Sequence, residues 1–271
     1  MSTPTIDYTC ASCGEPAALR CVRCLGAFYC GKECQKKMWR EHKVNCKVAE
    51  KLLDGKPIDQ FDKDFEEYKR LSEMGDASAQ YNLGLCYHMG TGVSIDMPKA
   101  IKWYTLAAEA GDVKAQVNLG ACYKNGDGVK VDQREAFKWY KRAAEAGCVL
   151  AYLNLGNRFY NGDGVTVDKR EAVKWYTRGA EAGDVGAQFM LGQSLFNGIS
   201  VAVDKRKAIN WFTLAAEAGD VDAQFNLGVC YLKGDGIAVD LTEAIKWCTR
   251  AAKARHAQAQ AILDILQRVQ S

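Results

Sequence analysis

Gly75, Gly111, Gly147, Gly183 and Gly219 stand 36 residues apart, and what lies between them recurs with them. Trp103, Trp139, Trp175, Trp211 and Trp247 keep that interval, as do Leu83, Leu119, Leu155, Leu191 and Leu227, each followed by a glycine. A fixed period of about 20–50 residues belongs to stacked supersecondary units, none of which can bury its apolar face alone. Residues 75–254 are therefore confined to an array of five like units, each leaning on its neighbours.

Each unit reads as two helices. In the second copy the first helix is expected over Asp112 to Lys124, with Ala115, Leu119, Cys122 and Tyr123 at helical spacing. A Gly126-Asp-Gly-Val turn follows. Asp132 then opens a second helix, with Glu135 placed for a capping box. Asp96, Asp168, Asp204 and Asp240 take the same place, although Lys99 and Lys207 replace the glutamate in two copies. Ala136, Phe137, Trp139, Tyr140, Ala143 and Ala144 form the apolar face of the second helix, with Trp and Tyr expected to fill the space between repeats. Repeat four reads Gly198-Ile-Ser-Val, lacks the second loop glycine, and is expected to turn differently.

The Leu-Gly pair, the Gly-x-Gly-Val loop and the Ala-x-x-Trp-Tyr…Ala-Ala helix are similar to the Sel-1-like repeat, a relative of the tetratricopeptide repeat. The resemblance covers 75–254 and implies an all-α fold, a right-handed α-solenoid of helix pairs. Residues 255–271 form one more helix, a carboxy-terminal cap. Phe61, Phe65, Tyr68 and Leu71 make an apolar stripe on a helix of about 59–74 that matches the second helix of a degenerate repeat, with Glu67 where Trp should be. Residues 48–74 thus read as junction and amino-terminal cap.

Ahead of the array, residues 1–47 carry a different chemistry. Cys10 and Cys13, Cys21 and Cys24, Cys30 and Cys34, then His42 and Cys46 form four ligand pairs. Structural Zn²⁺ takes four thiolate or imidazole ligands, commonly paired two to four residues apart. Eight ligands make two closed sites, hence two Zn²⁺ per chain and no open position for a catalytic water. The order of ligands, Tyr29 before the fifth, and the run Cys34-Gln35-Lys36-Lys37-Met38-Trp39 before His42 closely resemble the MYND-type zinc finger. The resemblance implies interleaving: Cys10, Cys13, Cys30 and Cys34 at one zinc, Cys21, Cys24, His42 and Cys46 at the other. Spacing alone equally allows a sequential pairing.

No run of eighteen apolar residues is present, so no transmembrane helix is expected. The polar start shows no secretory pattern. Five cysteines remain beyond the ligands, Cys86, Cys122, Cys148, Cys230 and Cys248, scattered and odd in number, which favours a reducing compartment, cytosol or nucleus. Residues 1–47 hold eight Lys/Arg against four Asp/Glu, but seven thiolates and two Zn²⁺ bring the finger to about +1. The overall balance is +3, and the finger lacks the concentrated basic face expected of a nucleic-acid reader.

No Ser/His/Asp or Cys/His catalytic grouping stands outside the zinc ligands, and the glycine loops follow no strand and precede no Lys-Ser/Thr, so neither catalysis nor nucleotide binding is read here. Cys86, Cys122, Arg158, Ser194 and Cys230 share one repeat position, expected to be half-buried. His88 and His256 read as unpartnered surface residues. Asn82, Asn118, Asn154 and Asn226 recur on the first helix, which lines the concave surface in related superhelices. There they serve either to pair with the backbone of an extended peptide or to fix repeat geometry. In MYND domains that bind short proline-containing peptides, the residues matching Gln35 and Trp39 form part of the groove. The resulting expectation is a non-catalytic adaptor whose partners are proteins or short peptides, not small molecules, nucleic acid or membrane. The alternatives are a ubiquitin-ligase-like adaptor and a transcription-regulatory, nucleic-acid-associated factor. The first is disfavoured because a RING pattern places histidine near the fourth ligand, where Cys24 stands.

Overall fold

The computed structural model describes residues 19–20, 28–29 and 58–270. Among these are twelve α-helices and one short antiparallel pair, β1 (Leu19–Arg20) and β2 (Phe28–Tyr29), in register Leu19 to Tyr29 and Arg20 to Phe28. The chain divides into two compact units, Met1–Asp132 and Gln133–Ser271.

The first unit holds α1 (Ile58–Glu73), α2 (Ala77–Met89), α3 (Met97–Glu109) and α4 (Val113–Asn125). The second holds α5 (Gln133–Glu145), α6 (Val149–Asn161), α7 (Lys169–Glu181), α8 (Val185–Asn197), α9 (Lys205–Glu217), α10 (Val221–Lys233), α11 (Leu241–Lys253) and α12 (Ala257–Gln270). Within each unit, helices consecutive in sequence pack on one another. Even-numbered helices are the first, and odd-numbered helices the second, of each pair.

Two kinds of joint set this geometry. From second helix to first, the chain turns in two residues. After α3, Gly111 N–H donates to Ala108 O and Asp112 N–H to Ala107 O, with Gly111 at φ 95°, the left-handed conformation a glycine adopts without strain. Asp112 then accepts from Ala115 N–H at 2.7 Å and so caps α4. One aspartate thus ends one helix and begins the next. Asp76, Asp184 and Asp220 do the same. A buried glutamine braces the turn: the Nε2 of Gln80, Gln116, Gln188 and Gln224 donates to the carbonyl of the residue eight before it, at 3.0–3.4 Å.

The second joint, from first helix to second, corrects the capping-box expectation. Asp96, Asp168, Asp204 and Asp240 do cap their helices, accepting from backbone N–H groups at 2.9–3.0 Å. The backbone N–H that a capping box would satisfy is spent elsewhere. Asp96 N–H donates to Tyr87 O, Asp168 to Phe159 O, Asp204 to Leu195 O and Asp240 to Tyr231 O, tying each loop back onto its own first helix. Glu171 and Glu243 reach forward to Lys174 and Lys246 instead.

Repeat four also keeps the common turn. Ser200 holds the position of the missing glycine at φ 57°, against 74–78° for Gly128, Gly164 and Gly236. The surrounding hydrogen bonds, Ile199 N–H to Ser194 O and Asp204 N–H to Leu195 O, enforce a left-handed backbone on a residue with a Cβ.

The core lies one residue beyond where the tryptophans point. Tyr104, Tyr140, Tyr176 and Phe212 are 0–2% exposed, whereas Trp103, Trp139, Trp175 and Trp211 are only half-buried. The Leu-Gly pair explains the difference. A Cβ on Gly84 would fall 2.7 Å from the Tyr104 ring, on Gly156 2.5 Å from Tyr176, and on Gly192 2.7 Å from Phe212. The bare glycine lets the ring of the second helix rest on the backbone of the first. In repeat five Cys248 takes the ring's place, and there alone Trp247 sinks to 4% exposure. The helix α1 ends in the same two-residue turn as a true second helix, Gly75 N–H to Ser72 O and Asp76 N–H to Leu71 O, with Phe65 buried against Leu83 and Cys86.

Candidate functional sites

The four recurrent asparagines sit half-buried on α2, α4, α6 and α10. Asn118 hydrogen-bonds the hydroxyls of Tyr81 and Tyr104, so it links α4 to both helices of the preceding repeat. Burial raises both phenols above their ordinary range, and the bond from Asn118 pulls the other way. His88 Nδ1 lies 3.1 Å from Tyr104 Oη, so His88 is partnered, contrary to expectation. Asn154 donates from Nδ2 to Leu150 O of its own helix at 2.8 Å.

His256 is partnered as well. It stands where other repeats carry the capping aspartate, accepts from Ala259 N–H at Nδ1 (3.2 Å), and stacks on Phe225 with ring centroids 4.3 Å apart. An imidazole nitrogen supplies the acceptor that the repeat pattern demands there. Cys148 occupies the same position at the start of α6 and makes no side-chain cap.

The position shared by Cys86, Cys122, Arg158, Ser194 and Cys230 is buried, at 1–6% exposure, rather than half-buried. Burial pushes the thiols of Cys86, Cys122 and Cys230 up to about 11. Arg158 fits among these small residues because the neighbouring groups accept it. Its guanidinium donates to Gln133 Oε1, lies 3.6 Å from Asp163 Oδ2 and sits over the Tyr140 ring. Repeat three carries a second exchange: Tyr152 replaces the bracing glutamine and stacks on Trp175, and Gly179 replaces an alanine whose Cβ would come 2.7 Å from Ala187 Cβ and 3.3 Å from Tyr152 Cβ. Sequence reading missed the glutamines. Their signal was a polar residue recurring at a fixed place directly after a buried alanine.

Cys10, Cys13, Cys21, Cys24, Cys30, Cys34, His42 and Cys46, and with them Gln35 and Trp39, lie outside the described residues. What is described is the β1–β2 pair, which flanks the stretch carrying Cys21 and Cys24 and ends one residue before Cys30. No helix among the described residues is long and apolar enough to cross a membrane.

The Sel1 repeat family matches residues 77–112, 113–148, 149–184, 185–220 and 221–256. The chain belongs to the Sel1 repeat family. Each matched segment opens on the first residue of a first helix and closes on the capping residue of the next, so the family's unit coincides with the two-residue joint. The MYND finger matches residues 10–46, bounded by the first and last ligand candidates. A Sel1 repeat protein from Oxalobacter formigenes is similar over 84% of this chain and 84% of its own, with 31% identity and a TM-score of 0.66. A protective antigen of uropathogenic Escherichia coli with an SLR fold is 30% identical over 89% of this chain and 61% of its own, with a TM-score of 0.47. The Drosophila melanogaster zinc finger MYND domain-containing protein 10 homolog is 42% identical over 40 residues, which is 15% of this chain and only 9% of that protein.

The Sel1 array is thus an α-solenoid of helix pairs, and the MYND finger before it is a zinc-binding module. Neither belongs to a catalytic family, and both are protein-interaction modules.

Proposed function

We propose that this Sel1 repeat protein is a non-catalytic adaptor that holds two protein partners close together. Two Zn²⁺ fold the finger through Cys10, Cys13, Cys21, Cys24, Cys30, Cys34, His42 and Cys46, with the ligand pairs interleaved. A segment of this size has too little apolar core to fold without metal. Gln35 and Trp39, four residues apart, form one side of a groove for a short proline-containing peptide, which has little conformational entropy to lose on an aromatic face. Asn82, Asn118, Asn154 and Asn226 grip a second, extended segment along the first helices. Two recognition modules on one chain raise the effective concentration of their ligands for each other.

The observation that carries this reading is the union, on one chain, of a MYND finger and five Sel1 repeats. The test is affinity capture with the intact protein, Trp39→Ala and Asn154→Ala/Asn226→Ala. Each variant should lose a different set of proteins, while zinc content and helical circular dichroism stay at wild-type values. One partner set lost by both variants would mean a single site and would refute the adaptor.

A further inference from the structure

In the second unit, residues 133–271, charge is sorted by element. The second helices α5, α7, α9 and α11 hold fourteen Lys/Arg against six Asp/Glu, a formal +8. The first helices α6, α8, α10 and α12 come to +1, and the linkers and terminus, with seven aspartates and Arg255, to −6. The segregation is absent from the first unit, where α1 is −3 and α3 only +1. A whole-chain balance of +3 conceals this separation.

The basic residues share a face. Arg134, Lys138 and Arg142 fall at i, i+4 and i+8 on α5, and Arg170, Lys174 and Arg178 repeat the spacing on α7, so each set lies on one side of its helix. On α9 the matching positions are Arg206, Asn210 and Leu214, and the basic spacing resumes on α11 with Lys246, Arg250 and Lys253. All nine residues of the three basic sets are exposed. Tryptophans supply the floor of this face, Trp139 and Trp175 half-buried and Trp247 buried. The Arg142 guanidinium lies 4.9 Å from the Trp139 ring centre, Arg178 4.7 Å from Trp175, and Arg250 4.7 Å from Trp247. A guanidinium held over an indole loses part of its freedom in advance and keeps the planar fork of N–H groups that suits a carboxylate in two-point contact.

We infer that the second-helix face of residues 133–271 docks an acidic polypeptide segment. Charge complementarity selects the class of partner, and spacing narrows it. Glu145, Glu181 and Glu217 close each of the first three helices and interrupt the basic surface once per repeat. A nucleic-acid backbone, with its dense and continuous phosphates, runs across those carboxylates. The separated carboxylates of a peptide can be matched to the Arg–Trp pairs and can skip them. This surface is distinct from the finger groove and the first-helix asparagines, and does not depend on either.

The test uses the full-length protein and a fluorescent peptide of alternating Glu and Ser. Binding should weaken steeply with added salt. Arg142→Gln/Arg178→Gln/Arg250→Gln, with unchanged melting temperature, should weaken it by roughly tenfold or more. Lys114→Gln/Lys233→Gln/Arg255→Gln, which removes the same charge from first helices and linkers, should change it by less than about twofold. Equal loss in both triple variants would reduce the effect to net charge and overturn the proposal. So would capture of oligouridylate RNA or phosphatidylserine vesicles in preference to the peptide. Self-association lost in the first triple variant alone would name a second copy as the occupant and equally overturn it.

Discussion

Tyr176 and Trp175 are neighbours on α7, and truncating each in turn separates the structure's account of the core from the one the sequence invites. Tyr176 is fully buried, rests on Gly156, and donates from Oη to Asn157 Oδ1 at 2.8 Å. Tyr176→Ala removes a ring from a site closed on all sides, so the lost transfer energy and the remaining cavity together cost about 4 kcal/mol. Tyr176→Phe loses only the hydrogen bond, about 1 kcal/mol. Trp175 is larger but half-buried, stacked with Tyr152 and lying beneath Arg178. Its truncation opens a groove that water fills, so only the partial transfer term is lost, about 2 kcal/mol. Urea unfolding of the three variants gives the order. Hydrogen exchange mapped by repeat should place the damage of Tyr176→Ala in α6, α7 and their immediate neighbours, because array units contact only those beside them. If Trp175→Ala costs as much as Tyr176→Ala, the glycine-supported ring is not the core of the repeat and the reasoning fails.

Ser200→Gly should raise stability by about 1 kcal/mol in the same urea assay, by relieving a left-handed backbone at φ 57°. Cys148→Asp should gain about 1 kcal/mol, since it restores the cap that Asp112, Asp184 and Asp220 provide in their own repeats. The buried thiols of Cys86, Cys122 and Cys230, held near 11 against an ordinary value of 9.0, bind their protons more tightly folded than unfolded. Stability should therefore be intact below about pH 9 and fall between about pH 9 and 11, and equilibrium melts across that range that stay flat would contradict it. Zinc analysis of the purified protein should return two ions, and Cys30→Ala should abolish the finger's metal while the array's helical signal is nearly unchanged.

The period and the helix pairs were legible because the central burial repeats: Ala115 and Leu119 are buried, as are their counterparts in every repeat, and 36-residue spacing exposes them. The errors came from reading residue type without its partner. Trp175 is the bulkier neighbour of Tyr176, yet the deeper site faces Gly156 on another helix, a relation that no single helix reveals. Glu135 fits a capping box by spacing, yet at Asp168 and Asp240, where the same motif recurs, the N–H it would serve already donates to a carbonyl of the first helix. His256 was set aside for want of a partner, although its place in the repeat, directly after Arg255, is that of a capping aspartate. Arg158 among cysteines is explained only by Gln133, Asp163 and Tyr140, two of which are contributed by the helix before it.

The two-residue joint also governs how such a chain can change in length. Because Asp112 or Asp220 serves two helices at once, one residue added or removed there strands a helix end without its donor or a helix start without its acceptor. Gaining or losing a whole period leaves every joint as it was. The number of repeats is thus a coordinate along which the gene can move in unit steps by duplication or deletion, lengthening or shortening the array without redesigning any part of it.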